Sequence, residues 1–294
     1  MNGKIPIIID CDCTLGIPGC DVDDGTALLY LLGCPQADII GISCSYGNST
    51  QERVYTNVKR LLKKWRCEHI PVFPGSFSPA DRHSPAAEFL AEMSEKYQCE
   101  LHVLCLGSTT NLAGAGELHP QFYNNIKDFS FMGGLTEPLF VGGKPMSELN
   151  FSIDWPSSLE VLSRAHDIRI ATARNCLSSY FDEDDFLRRT SENDHPAASF
   201  LKDEIQYWFD HNRTHWNQSG FVNWDLLAAV QLIHPEFFKM TESVITPDEE
   251  SMKSGYLNGK GPVIKVILPE ITDQKTYIDH IYETFLNINQ KEKK

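Results

Sequence analysis

The sequence predicts an α/β fold: a single domain with a mainly parallel central sheet flanked by helices. Three observations predict it. Short apolar runs, not much longer than six residues, recur along the chain. Segments of helical pattern stand between them, and this alternation is that of a parallel sheet covered on both faces. No linker rich in Gly, Ser or Pro divides the 294 residues, so one domain spans 1–294, with the charged KEKK tail at 291–294 expected to be disordered.

Taken in order, the first strand is the apolar run at 5–10, which ends in acids. A helix follows at 24–33, then a strand at 38–46 and a helix at 52–65 (ERVYTNVKRLLKKW). The pattern repeats as strand 71–74, helix 85–97, strand 101–106, helix 110–116, strand 128–132, helix 156–165 and strand 168–173. The later part is more helical, at 195–210, 224–234 and 275–288, interrupted by a strand, GPVIKVILP, at 261–269. In such folds ligands bind at the carboxyl ends of the parallel strands, so polar residues just after strands are the candidates for function.

Composition narrows the partners. Lys and Arg number 26 against 40 Asp and Glu, a net charge of −14. That balance argues against a nucleic-acid polymer or an anionic membrane, and suits a cation or a small neutral substrate. MNGKIPIIID is too short and too acidic at its end for a signal peptide, and no run reaches the ~18 apolar residues that span a bilayer. Nine cysteines, some inside core strands, point to reduced thiols and a cytoplasmic protein. Cys11, Cys13 and Cys20 do not have the spacing of a zinc site and read as loop packing. The N-x-Ser/Thr triplets at Asn48, Asn150, Asn212 and Asn217 read as chance.

The stretch IPIIIDCDCTLGIPGCDVDDGTALLYLLG, 5–33, concentrates the chemistry. Asp10 and Asp12 end the first strand, on one face by strand alternation. Asp23 and Asp24 open the next helix, where a carboxylate is favourable and one of them could serve as cap. Like charges at both ends of one loop repel unless protonated or bridged by a cation. Oxygen-only ligands suit Ca²⁺ or Mg²⁺. DCDCT also matches D-x-D-x-T, the opening of haloacid-dehalogenase-type phosphatases, with Asp10 as nucleophile, but the Gly-Asp-x-x-x-Asp expected later is absent.

A longer match exists. GCDVDDGTALLYLL resembles the D-V-D-D-A-L-A-L form of the nucleoside hydrolase signature, with an insertion between Asp12 and Asp23. SYGNST (45–50), LCLGSTTNLA (104–113), FMGG (131–134), ELNFSIDWPSS (148–158) and NWDLLAAVQLIHPEFF (223–238) follow in the order of that family's landmarks. The chain therefore resembles the inosine–uridine-preferring nucleoside N-ribohydrolases, from about residue 5 to 240.

The resemblance implies a nucleoside hydrolase-like fold and a Ca²⁺-dependent hydrolysis of the N-glycosidic bond of ribonucleosides, giving ribose and free base. Position by position, it makes Asp12 a metal ligand and the general base, with Asp24, the Leu106 carbonyl and Asp225 as further ligands. Asp23, Asn48, Glu148, Asn150 and Asp225 would contact the sugar, and Asp10 would support the loop. Asp154 is expected to cap the helix before Pro156. The family implies a homodimer or homotetramer. A non-catalytic, riboside-binding member is the remaining alternative.

Three departures bear on specificity. Trp224 stands where many members have a His credited with protonating the leaving base; a Trp can stack on a purine instead, which slightly favours purine ribosides. PGSFSPADRHSPAAEF is a short loop in which His83 is the candidate for a base contact. The approach to Glu148, VGGKPMS, has no Asn for the 5′-hydroxyl. YWFDHNRTHWNQSGF, 207–221, adds His211, His215 and Trp216 as candidates for the nucleobase.

Overall fold

The computed structural model describes residues 3–288, so the KEKK tail lies outside the described residues. The strands are β1 (Ile5–Cys11), β2 (Ala37–Cys44), β3 (Val72–Pro74), β4 (His102–Cys105), β5 (Asp128–Met132), β6 (Phe140–Val141), β7 (Lys144–Pro145), β8 (Ile168–Ala171), β9 (Tyr180–Asp182), β10 (Gly220–Val222), β11 (Phe238–Ile245) and β12 (Ile264–Ile271). The helices are α1 (Asp23–Gly33), α2 (Gln51–Lys64), α3 (Pro85–Lys96), α4 (Thr110–Leu118), α5 (Phe122–Asn125), α6 (Trp155–Arg164), α7 (Ala173–Cys176), α8 (Glu183–Ser191), α9 (Pro196–Trp216), α10 (Trp224–Ile233), α11 (Glu249–Met252) and α12 (Gln274–Phe285).

Eight strands form one sheet in the order β11-β12-β8-β5-β4-β1-β2-β3. All neighbours are parallel except β11 and β12. Both faces are covered, which explains the unbroken apolar run of β1. Ile7 and Ile9 join a core layer with Leu28, Val58, Leu227 and Ile281, while Ile8 faces a second layer with Phe89, Leu112 and Leu162. The chain runs outward through β1, β2 and β3, then returns to place β4, β5 and β8 on the other side of β1. The sheet's switch point therefore lies between β1 and β4, and a crevice opens beyond their carboxyl ends.

Local chemistry sets the helix ends. Ser84 caps α3 by accepting from the Ala87 N–H at 3.2 Å, just before Pro85. Asp154 caps α6, accepting from Ser157 N–H at 3.3 Å. Asn217, in the left-handed region at φ +54°, stops α9.

The structure changes some expected boundaries. The helix expected at 195–210 continues to Trp216, so His211, His215 and Trp216 ride on its last turns. The strand expected at 261–269 runs Ile264–Ile271 and pairs with β11, which the sequence pattern does not announce. β11 is an edge strand with only its end residues fully buried, and FKMTESVI carries the mixed polarity of such a position.

Candidate active site

Three segments meet at the crevice: the end of β1, the first turn of α1 and the first turn of α10. Val22 stands at the cap of α1 without a side-chain bond, so neither Asp23 nor Asp24 serves as the cap. Both carboxylates instead sit in the first turn, where the helix dipole favours them. Asp24 Oδ1 accepts the Asp12 backbone N–H at 3.0 Å, and Asp23 Oδ1 accepts that of Asp24 at 3.1 Å. From the far end of the chain, α10 delivers Asp225. Carboxylate oxygens of Asp23, Asp24 and Asp225 all lie within 4.8 Å of one another. The two helices are joined behind this cluster, because the Thr26 hydroxyl lies 2.8 Å from both the Asp23 carbonyl and Asn223 Oδ1.

Asp12 lies one residue beyond β1 and is fully buried. Asn48 holds its carboxylate twice, by the backbone N–H at 2.6 Å and by Nδ2 at 3.2 Å. Gly47 is required there, since a Cβ at that position would run into the Asp12 carboxylate. Asp10 has a different setting. Its Oδ2 accepts Ser43 Oγ at 2.5 Å and Asn111 Nδ2 at 2.8 Å, and its carbonyl accepts the Leu106 N–H at 2.8 Å. Asp10 does not line the pocket, which removes the geometry a phosphoryl nucleophile needs.

The loop 13–22 between the acids is braced from outside. Asn57 Nδ2 reaches the Cys13 and Leu15 carbonyls at 3.2 and 3.1 Å. Arg60 donates to the Leu15 carbonyl at 2.7 Å and pairs with Glu204 of α9 at 2.9 Å. The Tyr207 hydroxyl, also on α9, donates to the Cys20 carbonyl at 3.0 Å.

Electrostatics mark the cluster as incomplete by itself. Burial, reinforced by neighbouring carboxylates, pushes Asp23, Asp24 and Asp225 well above the usual carboxylate range. Burial also raises Asp12, against the hydrogen bonds from Asn48. Asp21 is pushed up to about 6 and Asp10 to about 7, in both cases chiefly by burial. Asp24 Oδ2 and Asp225 Oδ1 are buried with no hydrogen-bond partner among the described residues. Unpartnered anionic oxygens in an all-oxygen donor set fit a hard divalent cation.

Beside the acids is a pocket of about 140 Å³, partly open to solvent. Of the residues expected to meet substrate, Asp23, Asn48, Glu148, Asn150, Trp224 and Asp225 line it, together with Leu106. Asp12 and Asp24 lie outside this lining but are tied to it through Asn48 and Asp23. Asn150 gives its amide hydrogens to the Leu106 and Met132 carbonyls, at 2.9 and 3.1 Å, which leaves its Oδ1 as an acceptor. Glu148 accepts backbone N–H groups of Gly134, Phe151 and Ser152, at 3.2, 2.7 and 2.8 Å, so much of its capacity shapes the loop. Asp21 also lines the pocket, as do Met132, Leu139, Met146 and Ala173. Apolar residues after strands look the same in sequence whether they face core or pocket, and nothing in the pattern separates these four.

A second chamber adjoins the first across Asp21, Met146 and Trp224. Tyr180, Trp208, His211, Trp216 and Phe221 make it aromatic. His211 stacks on Trp208 at 4.4 Å and on His215 at 4.1 Å between ring centroids. Burial and the neighbouring His215 hold His211 below the usual imidazole range. His215 itself lines neither chamber. His83 is placed elsewhere: it is exposed, 3.1 Å from Glu117, and lines neither chamber.

This is a doubly wound α/β protein whose switch-point crevice holds an all-oxygen carboxylate cluster suited to a divalent cation, beside a partly apolar pocket suited to a small polyhydroxy ligand. The chain belongs to the inosine-uridine preferring nucleoside hydrolase family, whose model matches residues 7–277. It is thus a hydrolase acting on N-glycosyl compounds. A probable uridine nucleosidase of Oryza sativa subsp. japonica is 25% identical over 85% of this chain and 83% of its own length. The pyrimidine-specific ribonucleoside hydrolase RihA of Salmonella typhi is 23% identical over 81% of this chain and 82% of its own. Among solved structures, a plant nucleoside hydrolase superposes with a TM-score of 0.84 at 18% identity, over 96% of this chain and 99% of the other. A purine-preferring ribonucleoside hydrolase from Gardnerella vaginalis superposes with 0.81 at 18% identity, over 96% and 98%. The phosphatase alternative has no support in these comparisons.

Proposed function

We propose that this chain is a Ca²⁺-dependent ribonucleoside hydrolase, acting as one domain, that releases ribose and free base and slightly favours purine ribosides. One observation carries the proposal: the neighbours Asp23 and Asp24 meet Asp225, far away in sequence, beside a pocket that Asp23 and Asp225 line, with Asp24 Oδ2 and Asp225 Oδ1 unpartnered among the described residues. Asp12, Asp24, Asp225 and the Leu106 carbonyl would hold the cation. When bound, it offsets the mutual repulsion of these acids, anchors the vicinal diol of the sugar and makes the attacking water more acidic.

The chain's own residues do the rest. Asp12, fixed by two bonds from Asn48, takes a proton from water as the water attacks the anomeric carbon. The N-glycosidic bond lengthens first, its electron pair passing to the departing base, which takes up a proton from solvent, and the sugar is left oxocarbenium-like. The ionised acids around it favour that positive charge. Asn150 Oδ1, Asp23 and the spare lone pair of Glu148 accept from sugar hydroxyls. Trp224, between the two chambers, offers a face to the departing base, with His211 and Trp216 beyond it. A homodimer or homotetramer in the cytoplasm is the assembly and setting we propose. Among the described residues no helix is long and apolar enough to cross a membrane.

The test is a panel of purine and pyrimidine ribosides assayed for released reducing sugar, with Ca²⁺ and after chelation. Turnover that disappears on chelation and returns with Ca²⁺ is expected. Turnover unaffected by chelation rules out the cation's role, and no turnover on any riboside rules out the substrate class.

A further inference from the structure

We propose that Asn111 is a positioning residue for this reaction, acting through Asp10 on both Asp12 and the Leu106 carbonyl. The inference rests on the hydrolase reading above. Asn111 lies in the first turn of α4 and is fully buried. Its amide is used at both ends. Nδ2 donates to Asp10 Oδ2 at 2.8 Å. Oδ1 accepts the Ser76 N–H at 2.9 Å, the Ser76 hydroxyl at 3.0 Å and the Ser84 hydroxyl at 3.1 Å. Gly75 packs against this amide without a side chain; a Cβ there would strike both of its terminal atoms and the Cys44 carbonyl, so only glycine leaves the amide its place.

Asp10 passes this constraint on. Its carbonyl fixes the Leu106 N–H at 2.8 Å, and Asp12 follows two residues along the chain. Strand ends are where backbone order is lost, yet here the two strand ends at the switch point must present an oxygen each with accuracy. A buried Asn with every polar atom engaged, joining β1, the β3–α3 segment and α4, supplies that accuracy. The polarity is specific: an acceptor on Asp10 meets a donor on Asn111. Exchanging the two side chains keeps the bond and reverses its direction. A carboxylate at position 111 could still accept from Ser76 and Ser84, while an amide at position 10 donates to it.

The experiment compares wild type, Asp10→Asn, Asn111→Asp and the double exchange. It reads kcat and KM on a riboside, Ca²⁺ affinity by calorimetry, and the thermal midpoint. Each single variant should lose about 10- to 100-fold in kcat and in Ca²⁺ affinity, with KM changed far less. The double exchange should return both to within about threefold of wild type, since the coupling of paired groups appears as non-additivity. Losses that simply multiply in the double variant overturn the proposal, as does an Asn111→Asp enzyme with wild-type kcat. Should the single variants fail to fold, Ser76→Ala removes one hydroxyl bond and leaves the backbone N–H in place. It should lower kcat several-fold at unchanged KM, and an unchanged kcat overturns the proposal. A wild-type chain inactive on all ribosides removes the hydrolase reading and this inference together, whereas additive losses in an active enzyme remove the inference alone.

Discussion

The roles proposed for Asp12 and Trp224 differ, and separate measurements distinguish them. Asp12→Asn keeps the shape of the side chain but removes the proposed base. It should cost about 10²- to 10⁴-fold in kcat, with an unchanged far-ultraviolet spectrum. A loss smaller than tenfold would assign the proton to another group. Trp224→Ala removes a stacking face worth ~1–3 kcal/mol to a base. Purine ribosides should lose about tenfold in kcat/KM and pyrimidine ribosides less. Equal losses would leave Trp224 a packing residue beside Leu139 and Ala173. The motif residues were legible at this scale because polar side chains after strands have no packing reason to be there. Nothing in the sequence singles out Asn111, because an Asn in a helix's first turn has an ordinary structural explanation. The candidacy of His83 rested on loop position alone, and an exposed loop His finds a nearby acid such as Glu117 as readily as a ligand.

At the level of elements, α1 and α10 act as a pair. α1 opens with two acids and α10 with one, they pack together over the sheet, and Thr26 of α1 is bonded to Asn223 just before α10. Thr26→Val removes that join and leaves a buried Asn oxygen without its donor. A destabilisation of about 1–3 kcal/mol is expected, read from the urea midpoint at constant slope. A midpoint shift below ~0.5 kcal/mol would mean that the Asn side chain re-pairs within the cluster. Such strand and helix alternation was readable because a parallel sheet buries whole apolar runs. The small pieces were not. β6, β7, β9 and β10 have two or three residues each, too few for a period, and they exist because tertiary contacts hold them. α8 was missed as well, a helix with only Phe186 and Thr190 buried and little apolar stripe to read. β11 was passed over because one of its edges faces no partner strand among the described residues.

For the whole molecule, the buried acids make stability depend on pH and on the cation. Without a cation, burial raises the folded-state values of Asp12, Asp23, Asp24 and Asp225, with Asp21 at about 6 and Asp10 at about 7, against an ordinary 3.8. The folded chain then holds more protons than the unfolded one between those limits. Stability is highest below about pH 4 as far as these groups are concerned, and falls as pH rises through about 6 to 7. The chelated protein should therefore show a falling thermal midpoint from about pH 5 to 8, and saturating Ca²⁺ should flatten that slope by binding the ionised form. A chelated midpoint that climbs over the same interval would show that the acids are relieved by some other positive group. The excess of 14 negative charges in the sequence hinted at a cation without locating it. The cluster proposed to hold it requires Asp225 to meet Asp24 across most of the chain's length, and only the topology provides that.

The brace on loop 13–22 has one more consequence. Tyr207 grips the acid-bearing loop, and one residue along the same helix Trp208 lines the aromatic chamber. Under the proposed roles, a mutation that reshapes α9 to welcome a different ring would also disturb the segment leading into Asp23. Changes of taste and losses of rate should therefore arise together, and natural variants with new preferences should carry compensating replacements at Asn57, Arg60 or Glu204.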